Sequence, residues 1–359
     1  MGDLMQRIWN RALEYRVPLS VHFDLTYRCN ERCIHCYLDH EDYGELTTAE
    51  VKDVLDQLAL AGTLFLIFSG GELLLRKDFF ELLAYARQRG FDVKLKTNAI
   101  LVKEREADRI RDLGVRLIQV SVYSHRPEVH DAITKVRGSL ERTLNAIRFL
   151  RERGLHVVIA NVLMRQNAGD YPHVRALATE LGVECTIDPT ITPKMDGERS
   201  VLGLRLSAPQ MLRVFTDRSV VDDSFCAPPS SGIDQEMLDA RPCSAGHTAC
   251  YISPYGDVYP CVQFPLPVGN LRQQRFADVW QASPRLEEVR GIRMRDLPTC
   301  SSCSFMSTCT RCPGLAYMEG NMRGPSSADC EKSQIRAAGA SSTRYACEAV
   351  KLQECSNEL

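Results

Sequence analysis

Between Pro18 and about residue 190 the chain alternates short runs rich in β-branched and aromatic residues with longer helical stretches. That alternation is the strongest constraint on its fold. The strand-like runs lie at 20–27 (SVHFDLTY), 64–69 (LFLIFS), 92–97 (DVKLKT), 116–122 (RLIQVSV), 156–163 (HVVIANVL) and 184–188 (ECTID). Helical stretches fall near 47–61, 76–89, 103–113, 138–153 and 170–181, and Gly62, Gly90, Gly114, Gly154 and Gly182 each stand just past one of them, the usual place of a helix-ending glycine. Parallel strands need crossover connections, and these are right-handed. Five or six such units therefore predict an α/β fold, as a partial (β/α)6 barrel or a doubly wound sheet with helices outside. In either, ligands gather beyond the C-terminal ends of the strands.

The pattern stops near residue 190. PTITPKMDGERS (189–200) and CAPPSSG (226–232) are turn-rich, and few periodic runs follow Cys243. Eight of the 15 cysteines lie between Cys243 and Cys330, against three in the first 184 residues. Metal ligation can hold such a segment, because it supplies folding free energy on the order of 10 kcal/mol. The expected organisation is an N-terminal helix (1–17), a catalytic core (18–200), a linker (201–242), a small cysteine-rich domain (243–334) and a tail (335–359).

The overall composition is unremarkable, with a net charge of −2 and 25% charged residues, so neither disorder nor a nucleic-acid-binding surface is expected. The start, MGDLMQRIWNRALEYR, lacks an apolar signal core and a small-residue cleavage site, which predicts a cytoplasmic protein with reduced thiols. No apolar run approaches the ~20 residues of a spanning helix, so no membrane association is expected.

Cys29, Cys33 and Cys36 form C-x3-C-x2-C in the loop leaving the first strand. Three ligands are one fewer than a closed zinc site or an ordinary iron–sulfur cluster takes. Structural zinc completed by His35, a redox thiol group and an open cluster all remain compatible with the spacing. The stretch TYRCNERCIHCY, Thr26 to Tyr37, with an aromatic residue after the third cysteine, resembles the radical S-adenosylmethionine (radical SAM) superfamily. That resemblance implies a [4Fe–4S] cluster held by three thiolates, whose fourth iron is chelated by S-adenosylmethionine. Reductive cleavage then yields a 5′-deoxyadenosyl radical that abstracts a substrate hydrogen, and the protein positions and shields this chemistry.

Gly70-Gly71-Glu72, after the second strand, is similar to the family's motif for the methionyl ammonium, although Leu73 stands where proline is usual. Small residues there permit close backbone approach, and a carbonyl with a carboxylate suits a cationic amino group. By the same resemblance Tyr37, Thr97, Asn98, Ser121, Arg137, Asn161 and Leu163 are expected to touch the cofactor.

Downstream, Cys243, Cys250 and Cys261 precede Cys300-x2-Cys303-x5-Cys309-x2-Cys312, and Cys330 follows. A zinc ribbon is the alternative, but only five residues separate the two C-x2-C pairs, against the usual ~15 to 20. The region resembles the SPASM extension of radical SAM enzymes, which implies two auxiliary iron–sulfur clusters, expected as [4Fe–4S]. By motif position one would use Cys243, Cys250, Cys261 and Cys312, the other Cys300, Cys303, Cys309 and Cys330. Cys185 is expected at a strand end facing the cavity, where it would serve as a hydrogen-atom donor. Cys226, Cys347 and Cys355 are expected to be incidental.

Two auxiliary clusters suit net oxidation, since a substrate radical must lose a second electron. The resemblance implies oxidative modification or cross-linking of a ribosomally made precursor peptide. The alternatives are dehydrogenation, epimerisation or decarboxylation of a small molecule such as an aminoglycoside or porphyrin, or a non-catalytic metal-binding scaffold. Val262 replaces the Asp of the sulfatase-maturing branch, which disfavours that reaction. A flavodoxin or ferredoxin would supply electrons, and a peptide would need a separate carrier protein or direct docking in the cleft.

Overall fold

The computed structural model describes residues 2–222, 225–228 and 232–340, and its chain packs as two units. Cys347 and Cys355, with most of the expected tail, lie outside the described residues.

The first unit comprises Met1–Arg205 and Ser244–Gly291. It opens with helix α1 (Gly2–Glu14), followed by β1 (Ser20–Thr26), α2 (Thr48–Leu60), β2 (Phe65–Gly70), α3 (Phe79–Gln88), β3 (Asp92–Thr97), α4 (Glu104–Asp112), β4 (Leu117–Ser121), α5 (Pro127–Thr134), α6 (Ser139–Glu152), β5 (Val157–Val162), α7 (Tyr171–Glu180) and β6 (Glu184–Asp188). All six strands pair in parallel in the order of the sequence, giving the partial (β/α)6 barrel. The expected glycines close α2, α3, α4, α6 and α7 with φ between +63° and +89°, a region that costs L-residues but not glycine.

Strand alternation sorts the side chains. Val21, Phe23 and Leu25 of β1, Val93 and Leu95 of β3, and Ile118 and Val120 of β4 are fully or almost fully buried. The intervening residues His22, Lys96, Gln119 and Ser121 line a cavity, as do Thr186 and Asp188 of β6. On β1, β3 and β4 the cavity-facing residues are therefore polar and the apolar ones lie on the opposite face, whereas β5 also brings Ala160 and Val162 to the cavity.

The free edge of β1 is covered by a segment distant in sequence. β7 (Ala249–Ile252) pairs with β1 in parallel, and β8 (Asp257–Tyr259) and β9 (Gly269–Asn270) continue antiparallel, completing a nine-stranded sheet. Tyr251 of β7 donates to the buried Asp24 carboxylate at 2.9 Å, and its hydroxyl is 2.6 Å from that of Tyr27. Beyond α8 (Ala208–Thr216) and α9 (Gln235–Asp239) in the second unit, the first unit resumes with α10 (Phe276–Ala282) and α11 (Pro284–Gly291). The Phe276 amide donates to Gln57 Oε1 at 2.6 Å, anchoring α10 on α2.

The compact units do not follow the expected boundaries at 201 and 243. Residues 244–291 complete the catalytic sheet, because an uncovered β1 would leave a row of unpaired backbone groups. The supposed linker carries α8 with its buried face of Met211, Val214 and Phe215. It belongs to the second unit, Leu206–Cys243 with the chain from Ile292 onward. That unit adds α12 (Pro313–Met318) and a helix over 327–340, and one of its cores is Ile292, Met294, Leu297 and Met306.

Two outcomes follow for stability. Tyr251→Phe removes the donor to Asp24 and should cost about 1 to 3 kcal/mol, read as a lower urea midpoint. Glu50 receives a 2.9 Å hydrogen bond from Arg272, which with the Thr47 amide holds its carboxyl at about 2, below the ordinary 4.5. Its stabilisation is complete above about pH 4.5 and is lost as pH falls toward 2. Both side chains are more than a third exposed, so the contribution is only about 0.5 kcal/mol. Glu50→Gln should correspondingly flatten the acid limb of the stability curve between about pH 4.5 and 2.

Candidate active site

A cavity of about 340 Å³ lies within the first unit, at the C-terminal ends of the barrel strands, and Cys29, Cys33 and Cys36 are on its wall. The loop carrying them is fixed by backbone bonds to the end of α5: the Arg32 amide donates to Thr134 O and the Ile34 amide to Ile133 O, both at 3.0 Å. Within it the Glu31 amide donates to Cys29 Sγ at 3.4 Å, and the Cys33 thiol to Glu31 Oε2 at 3.3 Å. Burial pushes the Cys29 thiol up to about 12 and raises Cys33 and Cys36 as well, so metal binding here entails release of thiol protons. Among the described residues no group of three metal-ligating side chains closes around a single ion.

The Gly-Gly-Glu segment is pressed against this loop. The Gly71 amide donates to Thr26 O at 2.7 Å and the Glu72 amide to Arg28 O at 2.9 Å. A Cβ at Gly70 would stand 2.1 Å from Thr26 O, and one at Gly71 2.3 Å from Arg28 O. Neither distance is tolerable, so only glycine fits at either position. Gly70 and Gly71 both line the cavity.

Glu72 departs from expectation. It is fully buried and does not line the cavity. Its carboxylate accepts from the Thr97 hydroxyl at 2.8 and 2.9 Å, the Asn98 amide at 3.0 Å and the Leu74 amide at 3.2 Å. Burial raises its pKa, and those donors oppose the rise. In this geometry Glu72 positions the end of β3. Asn98, so held, donates its side-chain amide to Asn30 Oδ1 at 2.7 Å and lies 3.8 Å from Cys29 Sγ.

Tyr37, Thr97, Asn98, Ser121 and Asn161 also line the cavity. Asn161 donates to Val122 O at 2.7 Å, leaving its buried Oδ1 without a partner. Three expected residues lie elsewhere. Arg137 is exposed in the turn between α5 and α6, where its carbonyl accepts from Arg142. Leu163 is wholly buried, with its amide on Asp188 O. Cys185 faces away, because β6 alternation directs Thr186 and Asp188 inward and Cys185 to the other side; burial lifts its thiol to about 11.

Sequence reasoning missed Glu31, Lys96, Gln119, Tyr123 and Asp188 as cavity residues. The alternation of polar with apolar residues in β1, β3, β4 and β6 was the available signal. Tyr123 packs edge-on against His35, ring centroids 4.8 Å apart, and burial holds His35 at about 4, hence neutral.

Among the downstream cysteines, Cys250 and Cys261 belong to the first unit, and Cys243, Cys300, Cys303, Cys309, Cys312 and Cys330 to the second. Cys250 is buried on β7 within electrostatic range of Cys261. In the second unit Cys300, Cys303 and Cys309 lie within such range of Cys330 and raise its pKa beyond the effect of burial. Cys312 caps α12, its Sγ accepting from the Leu315 amide at 3.5 Å.

The residues fit the cofactors implied by the motifs: three thiols on one wall, a glycine cradle that a Cβ would fill, and an orphaned carboxamide oxygen at Asn161. Comparison with known proteins agrees. Residues 23–178 match the radical SAM superfamily model, and residues 243–313 match SPASM, an iron–sulfur cluster-binding domain. The chain is 34% identical over 294 residues to the PqqA peptide cyclase of Xanthomonas axonopodis pv. citri, covering 76% of this chain and 77% of that protein. It is 28% identical over 323 residues to the AdoMet-dependent heme synthase of Methanosarcina barkeri, covering 84% and 92% respectively. Its fold matches the crystal structure of Streptococcus suis SuiB bound to precursor peptide SuiA, with a TM-score of 0.71 and 18% identity over 89% of this chain and 78% of that one. The cavity with its three thiols and the cysteine-rich region after it are those of a radical SAM enzyme of the SPASM type, using S-adenosylmethionine, a [4Fe–4S] cluster and auxiliary iron–sulfur clusters, and this chain belongs to that family.

Proposed function

We propose that this enzyme oxidatively modifies or cross-links a ribosomally made peptide. The observation carrying the proposal is the likeness to a peptide cyclase over three quarters of the chain, in a protein whose first unit holds a polar cavity walled by three thiols. When bound, the cluster and S-adenosylmethionine supply a 5′-deoxyadenosyl radical for hydrogen abstraction.

The chain's own residues do the rest. Cys29, Cys33 and Cys36 would hold the radical-generating cluster. Gly70 and Gly71 would let the backbone approach the methionyl group, and the Gly71 carbonyl would accept from its ammonium. Glu72 secures Thr97 and Asn98, and Asn161 Oδ1 would accept a hydrogen bond from the nucleoside. Val262, which lines the cavity beside Cys261, offers no proton acceptor, consistent with a reaction other than the sulfatase type. Cys300, Cys303, Cys309 and Cys330 would hold one auxiliary cluster, whose chemistry would be acceptance of the substrate radical's second electron. A flavodoxin or ferredoxin delivers the initiating electron, and a separate carrier protein presents the peptide unless it docks directly.

A second reading, modification of a tetrapyrrole, is supported by the likeness to the heme synthase. Mass spectrometry after anaerobic turnover with candidate substrates separates the two: a peptide product lighter by two hydrogens supports the first, and conversion of a porphyrin side chain with no change in any peptide supports the second.

Further outcomes concern the cofactor step. Replacing Cys29, Cys33 and Cys36 together with Ala should remove about four irons and all reductively triggered 5′-deoxyadenosine; retained cleavage would refute the assignment. Glu72→Gln exchanges one carboxylate oxygen for a donor facing other donors. It should slow 5′-deoxyadenosine formation about tenfold or more, equivalent to about 1.4 kcal/mol, measured chromatographically under reducing conditions.

A further inference from the structure

On the cavity wall, Lys96 of β3 and Gln119 of β4 are partners in the strand register. Partners on adjacent strands have Cβ atoms about 5 Å apart, so an ammonium and a carboxamide stand side by side. Neither makes a side-chain hydrogen bond or ion pair among the described residues. Lys96 is half-buried, an ammonium so placed without a contacting partner is costly, and the nearby acids do not supply one. Asp24 is engaged through Oδ1 with His22 at 3.1 Å and through Oδ2 with Tyr251 at 2.9 Å. Asp188 accepts from the Thr190 amide at 2.8 Å.

The surroundings add positive charge. Lys94 precedes Lys96 by two residues on the same face of β3. Burial lowers the pKa of both lysines; Asp24, Cys261 and Asp188 oppose the change at Lys96 from a distance. The wall thus presents a cation and an adjacent amide donor whose hydrogen-bonding capacity the protein leaves unused, in the same cavity as the three thiols.

We propose that Lys96 and Gln119 form the anchor for a carboxylate of the substrate, with the ammonium supplying charge and the carboxamide a second N–H. This deepens the proposed function and rests on its reading that the cavity receives the substrate. The site selects a peptide that brings an acidic side chain or a free C-terminus into the barrel, and it fixes the reacting hydrogen by holding the carboxylate at the β3–β4 wall.

The test uses trifluoroacetate as a small carboxylate probe, followed by ¹⁹F NMR on cluster-loaded protein saturated with S-adenosylmethionine, so that the cofactor's own carboxylate position is filled. The wild type should give a saturable shift, and neutral trifluoroacetamide should give none. Lys96→Gln should weaken binding about tenfold or more, Lys96→Arg should stay within about threefold of wild type, and Gln119→Leu should weaken it about threefold. Unchanged iron content and circular dichroism establish that each variant is folded. Absence of saturable binding to the wild type, equal binding to Lys96→Gln, or equal binding of the amide would overturn the anchor. Reductive cleavage of S-adenosylmethionine by the wild type is measured separately. Its absence would sink the radical reading and leave the anchor standing, whereas cleavage without carboxylate binding would sink the anchor alone.

Discussion

Everything at the C-terminal mouth of the barrel depends on the closeness with which the end of β2 lies against the chain leaving β1. Two backbone hydrogen bonds, from Gly71 to Thr26 and from Glu72 to Arg28, lock the Gly-Gly-Glu turn onto the start of the cysteine loop. A methyl group at either glycine would overlap a carbonyl oxygen. Because the turn is fixed, Glu72 is carried beneath the cavity, where three backbone and side-chain groups bind it. Because Glu72 is fixed, Asn98 reaches the cysteine loop from β3. One steric constraint thus coordinates three strand ends, and the cofactor meets a surface already organised.

The barrel was legible in the sequence because its signals are local. Six strand runs and five helix-ending glycines follow from side-chain periodicity and from the one residue that adopts positive φ without strain. The three thiols and the glycine pair were legible because their chemistry requires those residues at that spacing. What escaped depended on contacts between distant segments. β7 is only four residues long, and its role as the seventh parallel strand is set by pairing with β1, more than two hundred positions earlier. No short window reveals such a partner. The direction of Cys185 escaped because its register on β6 depends on β5. The burial of Glu72 and its donors from Thr97 and Asn98 escaped because they come from β3, a separate strand.

The interior of the barrel was readable in principle and overlooked. His22 and Asp24, Lys94 and Lys96, Gln119 and Ser121, and Thr186 and Asp188 are polar pairs two residues apart in four strands, each interleaved with apolar residues. An interior filled by its own side chains would carry branched aliphatic residues there. The polar alternative describes a hollow interior, built to receive a guest and hold it by hydrogen bonds and charge.

The placement of residues 244–291 in the first unit has a consequence for synthesis. The two units are interleaved along the chain: the first is interrupted by Leu206–Cys243, and the second by the segment that carries β7 to β9. While the protein emerges from the ribosome, the six-stranded barrel must wait with one edge of β1 bare until the chain from Asp188 to Ile252, about sixty more residues, has been made. During that interval the nascent chain exposes a ready template for wrong strand pairing. Closure of the catalytic sheet and arrival of the cysteine-rich region are therefore successive events. The strand that closes the catalytic sheet is thus made before Cys300, Cys303, Cys309, Cys312 and Cys330, the last of the auxiliary thiols.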